Sequence, residues 1–371
     1  MNRRVLILSF VLALAGCATQ APSSPSAVAT SHPVPIVAQL DALLPSVPHP
    51  PERPVAPPSV TDPMIPQAQR VEAFVDYTAN TYGVAPQAIR DELGQAQFMQ
   101  RTVDIISRPA EAVRTWRDYR PIFLNDARID GGVAFMAQNR AALDRVAANT
   151  GVPAEYIVAI IGVETNYGKN TGNYRVLDAL YSLAFGYPKR APFFAGELAQ
   201  LFALGKDERI DVATLKGSYA GAMGLGQFMP SSYRLWGKDG DSDGRRDLIA
   251  DKDDVFASVA NYFVVHGWQR GGPVVARATR DANAAEFIPD AIDPVYPLSA
   301  LAQRGYRPQS GEPLANAGEG ATLVTLEGEA GKEYWLGYRN FYVITRYNHS
   351  PMYAMAVHQL AQAIRAGSGG T

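Results

Sequence analysis

The residues best placed to do chemistry lie between Tyr156 and Gly168. Positions 157–163 are apolar or glycine on every helical face. A helix with no polar stripe is buried on all sides. Glu164 follows directly, and Asn166 and Gly168 are helix-ending residues. A carboxyl group placed there is partly desolvated, which disfavours its anion and raises its pKa. A carboxylic acid that stays neutral at working pH is what a general acid must be. A Glu paired with an Arg, or accepting backbone N–H bonds, would fit this segment as well. Further on, glycines stand at 217, 221, 224 and 226. They let backbone approach backbone or ligand closely. Ser218 and Gln227 offer short hydrogen-bonding arms in the same stretch. Tight helix packing would leave a similar trace.

A second cluster of chemistry-bearing residues is acidic. Asp239-Gly240-Asp241-Ser242-Asp243-Gly244 fits the opening of a D-x-D-x-D-G calcium loop. Asp239, Asp241 and Asp243 take positions 1, 3 and 5, and Gly244 allows the sharp turn. Arg245 would offer only its backbone carbonyl, and Asp247 stands at position 9. Ala250 falls at position 12, where a bidentate Glu is usual, and that loss weakens binding. A solvated acidic turn is the alternative.

Composition limits the other classes. The 371 residues carry 34 basic and 36 acidic side chains. That balance excludes a nucleic-acid binder working through bulk positive charge. With 47% hydrophobic residues the chain is not disordered throughout. One cysteine, Cys17, forbids an intramolecular disulfide and a Cys-based zinc site.

The elements that must position these groups follow an N-terminal preamble. Residues 1–16 have basic Arg3 and Arg4, then an apolar run from Val5 to Ala15. That run falls short of the ~20 residues that span a bilayer, and reads as an export signal. Leu14-Ala15-Gly16-Cys17 resembles the bacterial lipobox, which implies a lipidated Cys17. With no Asp at the next position, sorting to the periplasmic face of the outer membrane is expected. Residues 17–66 hold thirteen of the 27 prolines and read as a semi-rigid tether. A globular domain then occupies 67–371. Helical periodicity runs through 67–82, 87–99, 127–149 and 153–166, with further helices over 175–186, 192–204 and 253–266. Val274–Ala276, Thr322–Leu326 and Phe341–Thr345 read as strands. A helix from about 351 to 365 closes the chain. The fold class is mainly α with a small β-rich part, α+β overall.

Several blocks together resemble the lytic murein transglycosylase B family. They are Ile161–Gly168, Tyr174–Leu180, Ser218–Gly224, Gln227–Ser232, Asn340–Asn348 and Tyr353–Val357, and the likeness covers nearly all of 67–365. It implies a lysozyme-like core at about 150–272, an added helical subdomain, and a β-rich subdomain at about 273–347. It implies non-hydrolytic cleavage of the MurNAc-β-1,4-GlcNAc bond of peptidoglycan, with the muramyl 6-hydroxyl attacking its own anomeric carbon to leave a 1,6-anhydro end. Glu164 matches the single catalytic residue, acid first and base second. Ser218 and Gln227 match cleft residues. Tyr119, Tyr262, Tyr347, Asn348 and Tyr353 match sugar-contacting positions, and Phe193 stands where a sugar-facing Tyr is expected. Asp178 and Glu197 are near enough in sequence to be second carboxylates, but the resemblance gives neither a catalytic role. The family's longer metal loop maps its last acid onto Asp253, so the expected ligands are Asp239, Asp241, Asp243, Arg245 and Asp253. The ion would be a structural Ca2+ or Na+, and the chemistry needs no cofactor. Expected partners are glycan strands, the outer membrane through the lipid, and cell-wall synthesis proteins. The alternatives are a hydrolytic muramidase and a non-catalytic peptidoglycan-binding lipoprotein.

Overall fold

A computed structural model describes residues 43–47, 53, 55–107, 114–316 and 318–369. The expected signal 1–16, Cys17 and most of the tether lie outside these residues. Everything below concerns the unit formed from residue 42 onward.

Most helices form where apolar periodicity demanded them, but the one expected over 87–99 is Pro86–Gly94 and stops five residues early. Gln67–Tyr82 is a helix ended by Gly83 in the left-handed region, at φ 64°. The stretch expected as one helix over 127–149 is two, Asp126–Gln138 and Arg140–Thr150, broken at Asn139. Asn139 turns its own amide onto the Phe135 carbonyl at 2.7 Å, an interaction that competes with helix continuation. Shorter helices at Gln100–Ser107, Trp116–Phe123 and Pro230–Trp236 escaped the sequence reading. Each has at most eight residues, too few for a periodic signal.

The central element is the Ala154–Thr165 helix. Ile157, Val158, Ala159, Ile160 and Ile161 are fully buried. Each buried Ile or Val contributes about 1.5–3 kcal/mol of hydrophobic stabilisation. This helix packs on the C-terminal Pro351–Gly367 helix and on Asp126–Gln138. Val176–Gly186 and Ala191–Glu208 pair alongside, equally apolar.

Two short strands, β1 (Tyr174–Arg175) and β2 (Lys216–Gly217), pair antiparallel beside the helical core. The larger sheet uses β3 (Val275–Arg280), β4 (Tyr296–Pro297), β5 (Tyr306–Pro308), β6 (Gly320–Gly328) and β7 (Gly331–Gly337). Its order is β4-β6-β7-β3-β5, and every pair is antiparallel. Leu336 stands opposite Leu323 on one side and Ala276 on the other, which builds one apolar face. Leu323, Leu336, Ala276 and Tyr306 form a small core of their own.

One strand expectation is overturned. Phe341–Thr345 lies inside a helix, Arg339–Tyr347. A short apolar run cannot be assigned to strand or helix by periodicity alone. Here tertiary contacts decide. Asn340 is fully buried and its amide bonds both Gln269 O and Gly272 O at 2.9 Å. The β-rich segment therefore ends at Gly337, ten residues short of the expected boundary at 347.

Backbone crowding fixes the approach of β2 to the helical core. Gly172 has φ +94°, and a Cβ there would meet Gly217 O at 2.1 Å. Gly172→Ala is expected to cost about 3 kcal/mol and to lower the melting temperature by roughly 5 °C. An unchanged melting curve by calorimetry would show that the contact is not the constraint described.

Candidate active site

Glu164 occupies the last turn of the Ala154–Thr165 helix. The chain leaves the helix through Asn166, Tyr167 and Gly168, all at positive φ. That sharp exit is held in place. The Tyr167 ring folds back onto the helix, and its hydroxyl donates to Arg128 O at 2.8 Å. A Cβ on Gly162 would meet that hydroxyl at 2.7 Å, so only glycine admits the ring. Arg128 in turn donates to the Gly162 carbonyl. Thr165 Oγ1 donates to Ile161 O at 3.1 Å and Leu225 O at 3.0 Å, tying the helix end to the glycine-rich segment.

That segment is a set of turns, not a helix. Bridges join Gly217 to Met223 and Met223 to Phe228. Ser218 Oγ accepts from Ala220 N at 3.3 Å and Ala222 N at 3.0 Å. Gln227, at φ 49°, donates its amide to Thr171 O and Gly224 O. The turns form one wall of a 390 Å³ groove that contains Glu164. Ser218, Tyr219, Gln227, Phe228, Met229, Ser232, Tyr262, Tyr347 and Asn348 also line it. The Tyr262 hydroxyl donates to Arg346 O and the Tyr347 hydroxyl to Gly226 O. A recess of 720 Å³ beside the aspartate loop is larger, but Glu164 is not in it.

Tyr353 donates its hydroxyl to Glu164 Oε1 at 2.6 Å. It stands in the first turn of the Pro351–Gly367 helix, capped by Ser350. Burial pushes Glu164 up to about 7, against the Tyr353 bond, which favours the anion. Among the described residues no cation pairs with Glu164, and it is the only acid lining the groove. Its folded pKa exceeds the ordinary 4.5. Its contribution to stability is therefore full below that value and is lost as pH rises through about 7. Tyr119 lies outside the groove lining but feels the Glu164 charge, which after burial raises its hydroxyl.

The other carboxylates are engaged elsewhere. Asp178 Oδ1 accepts from Arg175 and from Gln97 N. Glu197 accepts Ser231 N at 2.9 Å and Ser231 Oγ at 2.6 Å. The structure does not bring Phe193 to the groove wall. Its ring lies under the Arg190 guanidinium, 4.4 Å from the ring centroid, and against Phe194. Arg53, which the sequence placed in the tether, does line the groove. Nothing in a proline-rich stretch marks one arginine as special.

The aspartate loop differs from expectation at two acids, Asp253 and Asp243. Asp239, Asp241 and Asp254 bring carboxylate oxygens within 4.8 Å of one another. Asp253, the acid expected there, pairs with Arg145 instead. Asp254 is buried, accepts from Gly240 N and Asp247 N, and has no cationic partner among the described residues. Asp243 Oδ1 accepts from Arg245 N at 2.8 Å and stands outside the three-carboxylate group. A buried, unpaired carboxylate among hard oxygen donors fits a divalent cation such as calcium.

Residues 66–362 match the family model described as Transglycosylase SLT domain. The chain is 42% identical over 308 residues to the membrane-bound lytic murein transglycosylase B of Escherichia coli, covering 81% of this chain and 82% of that one. It superposes with TM-score 0.76 on the soluble lytic transglycosylase SltB1 of Pseudomonas aeruginosa, at 46% identity, covering 81% of this chain and 100% of the other. It also superposes on the Escherichia coli lytic transglycosylase Slt35 solved in complex with calcium. There the TM-score is 0.73 and the identity 41%, over 81% of this chain and 93% of that one.

Removing the Tyr353 hydroxyl takes away the one bond that favours the Glu164 anion. Tyr353→Phe is expected to lift the Glu164 midpoint from about 7 by about one further unit. Carboxyl-carbon NMR titration reads it, and a midpoint that falls would show that burial is not what raises this acid.

Proposed function

The chain belongs to the transglycosylase SLT domain family, and we propose that it cleaves peptidoglycan glycan strands non-hydrolytically, with Glu164 as its single acid–base group. The observation that carries this reading is a buried carboxyl, alone among acids of the described residues, in a groove walled by tyrosines and glycine turns.

The chemistry follows from that arrangement. With a pKa of about 7, Glu164 is about half protonated at neutral pH, and its proton can pass to the bridging glycosidic oxygen. Its anion is then held by the Tyr353 hydroxyl. Two-carboxylate glycosidases need a second acid beside the scissile bond. Among the described residues none lines this groove. The positive centre is therefore left to the substrate's own 2-acetamido group. Glu164, now ionised, takes the proton of the muramyl 6-hydroxyl as that oxygen attacks the anomeric carbon. An attacking group already tethered to the reacting sugar outcompetes water through effective molarity. Ser218, Gln227, Tyr262, Tyr347 and Asn348 offer polar tips and ring faces for the sugars. Tyr353 holds the catalytic carboxyl, and Tyr119 stands close enough to sense it.

The aspartate loop would take a calcium ion on Asp239, Asp241 and Asp254, away from the groove and as a structural ion. Among the described residues no single helix is long and apolar enough to cross a membrane. Membrane association, as named for the Escherichia coli relative, would come from a lipid on Cys17. That anchor would place the domain at the periplasmic face of the outer membrane, beside its substrate.

Two outcomes test the reading. Glu164→Gln is expected to abolish release of muropeptides from purified sacculi while keeping the wild-type fold by circular dichroism. Wild-type products are expected one water lighter than hydrolysed ones by mass spectrometry, with release falling as pH rises through about 7. Turnover by the Gln variant, or products of hydrolysed mass, would sink the mechanism. For the loop, calcium is expected to raise the melting temperature by several degrees in wild type and in Asp253→Asn. The rise should vanish in Asp254→Asn. Dependence on Asp253 instead would move the site off the three carboxylates.

A further inference from the structure

Arg53 lies upstream of the residues that match the family, yet it lines the groove that holds Glu164. Its neighbours on both sides are fastened to the domain. Leu44 N donates to Val295 O at 2.7 Å, and Ala56 N donates to Pro192 O at 2.9 Å. Val47 and Ala56 are buried. Backbone bonds and apolar burial thus fix where this arginine is delivered.

The guanidinium is only partly engaged. It lies over the Trp236 ring, 5.7 Å from the centroid. It makes a long ion pair with the buried Glu197, 3.8 Å from Oε1, and a side-chain bond to Tyr262. Glu197 also accepts two bonds from Ser231. The Arg53 side chain remains 30% exposed, so donors of its fork not turned to Glu197 and Tyr262 face the groove. A second cation stands close by. Arg346 forms no ion pair among the described residues, and its Nε is buried without a partner. After burial itself, the charges of Arg346 and Arg53 both push His349 and His266 down, so this end of the groove is electropositive. Arg53 is not among the groups that shift Glu164.

A partly exposed guanidinium, the one cation among the described residues that line this groove, selects an anion, and carboxylates suit its planar fork. Resting on the glycan-strand reading of the groove, we infer that Arg53 binds a carboxylate borne by the muramyl residue of the strand. On peptide-free strands that group is the lactyl ether carboxylate, and on substituted strands it lies on the stem peptide. The N-terminal segment would then be part of the substrate site as well as a spacer.

The test is calorimetric binding by the intact protein carrying Glu164→Gln, which binds without turnover. Three ligands separate the possibilities: peptide-free glycan tetramers, the same tetramers bearing stem peptides, and uncharged chitotetraose. Arg53→Ala is expected to weaken carboxylate-bearing ligands about tenfold and chitotetraose less than twofold. Loss on peptide-free tetramers assigns the lactyl group; loss confined to substituted tetramers assigns the peptide. Arg53→Lys, which spares Glu197 its cation should the alanine variant misfold, is expected to fall between. Equal weakening of all three ligands, or of none, overturns the inference and leaves the glycan reading intact. Failure of the Arg53-containing protein to bind any of the three overturns both.

Discussion

The molecule depends on one carboxyl group kept out of water. Glu164 is placed by a helix whose preceding turns are wholly apolar, so its environment is set before any neighbour is considered. Removing a carboxylate from water costs several kcal/mol unless it is paired, and an unpaired one keeps its proton instead. Among the described residues no cation pairs with Glu164. The protein supplies one tyrosine hydroxyl, which can hold the anion without forcing it to form. A charged partner in that place would pull the pKa down and leave no proton to give. The balance between desolvation and a single neutral donor is what makes a group poised near neutrality.

The surrounding architecture preserves that balance. Tyr353 comes from the C-terminal helix, the glycine turns from 217–231, and Tyr262 and Tyr347 from two further helices. Thr165 and Tyr347 each send a hydroxyl to carbonyls of the glycine-rich turns, at Leu225 and Gly226. Hydroxyls spent on backbone carbonyls are fixed in orientation, which keeps the groove walls rigid.

Much of this was legible in the chain. An apolar helix ending in Glu is visible as a pattern, because burial on all faces leaves no polar position to disguise it. Long helices such as Gln67–Tyr82 announce themselves through periodicity and a closing glycine. What stayed hidden depended on contacts distant in sequence. Phe341–Thr345 has strand-like composition, and only the packing of Asn340 against Gln269 and Gly272 makes it helical. Asp253 and Asp254 are chemically identical neighbours. Successive residues on a helix point about 100° apart, so one meets Arg145 while the other turns under the loop. Composition could not tell which. Phe193 was placed by resemblance, but the nearby Arg190 takes its ring face.

The placement of charge ties these levels together. Among the described residues the groove lining carries one acid and one cation, Glu164 from the helical core and Arg53 from the segment upstream of it. A buried site can hold an acid near neutrality only while nearby cations stay out of its field. A polyanionic, sugar-rich ligand calls for a cation somewhere. Separating the two lets one groove attract a carboxylate without depressing the pKa of Glu164. The core domain supplies the acid, which must be rigidly positioned. The upstream segment supplies the cation, whose interaction is longer in range and more forgiving of position. The two functions could therefore be tuned by different parts of the chain.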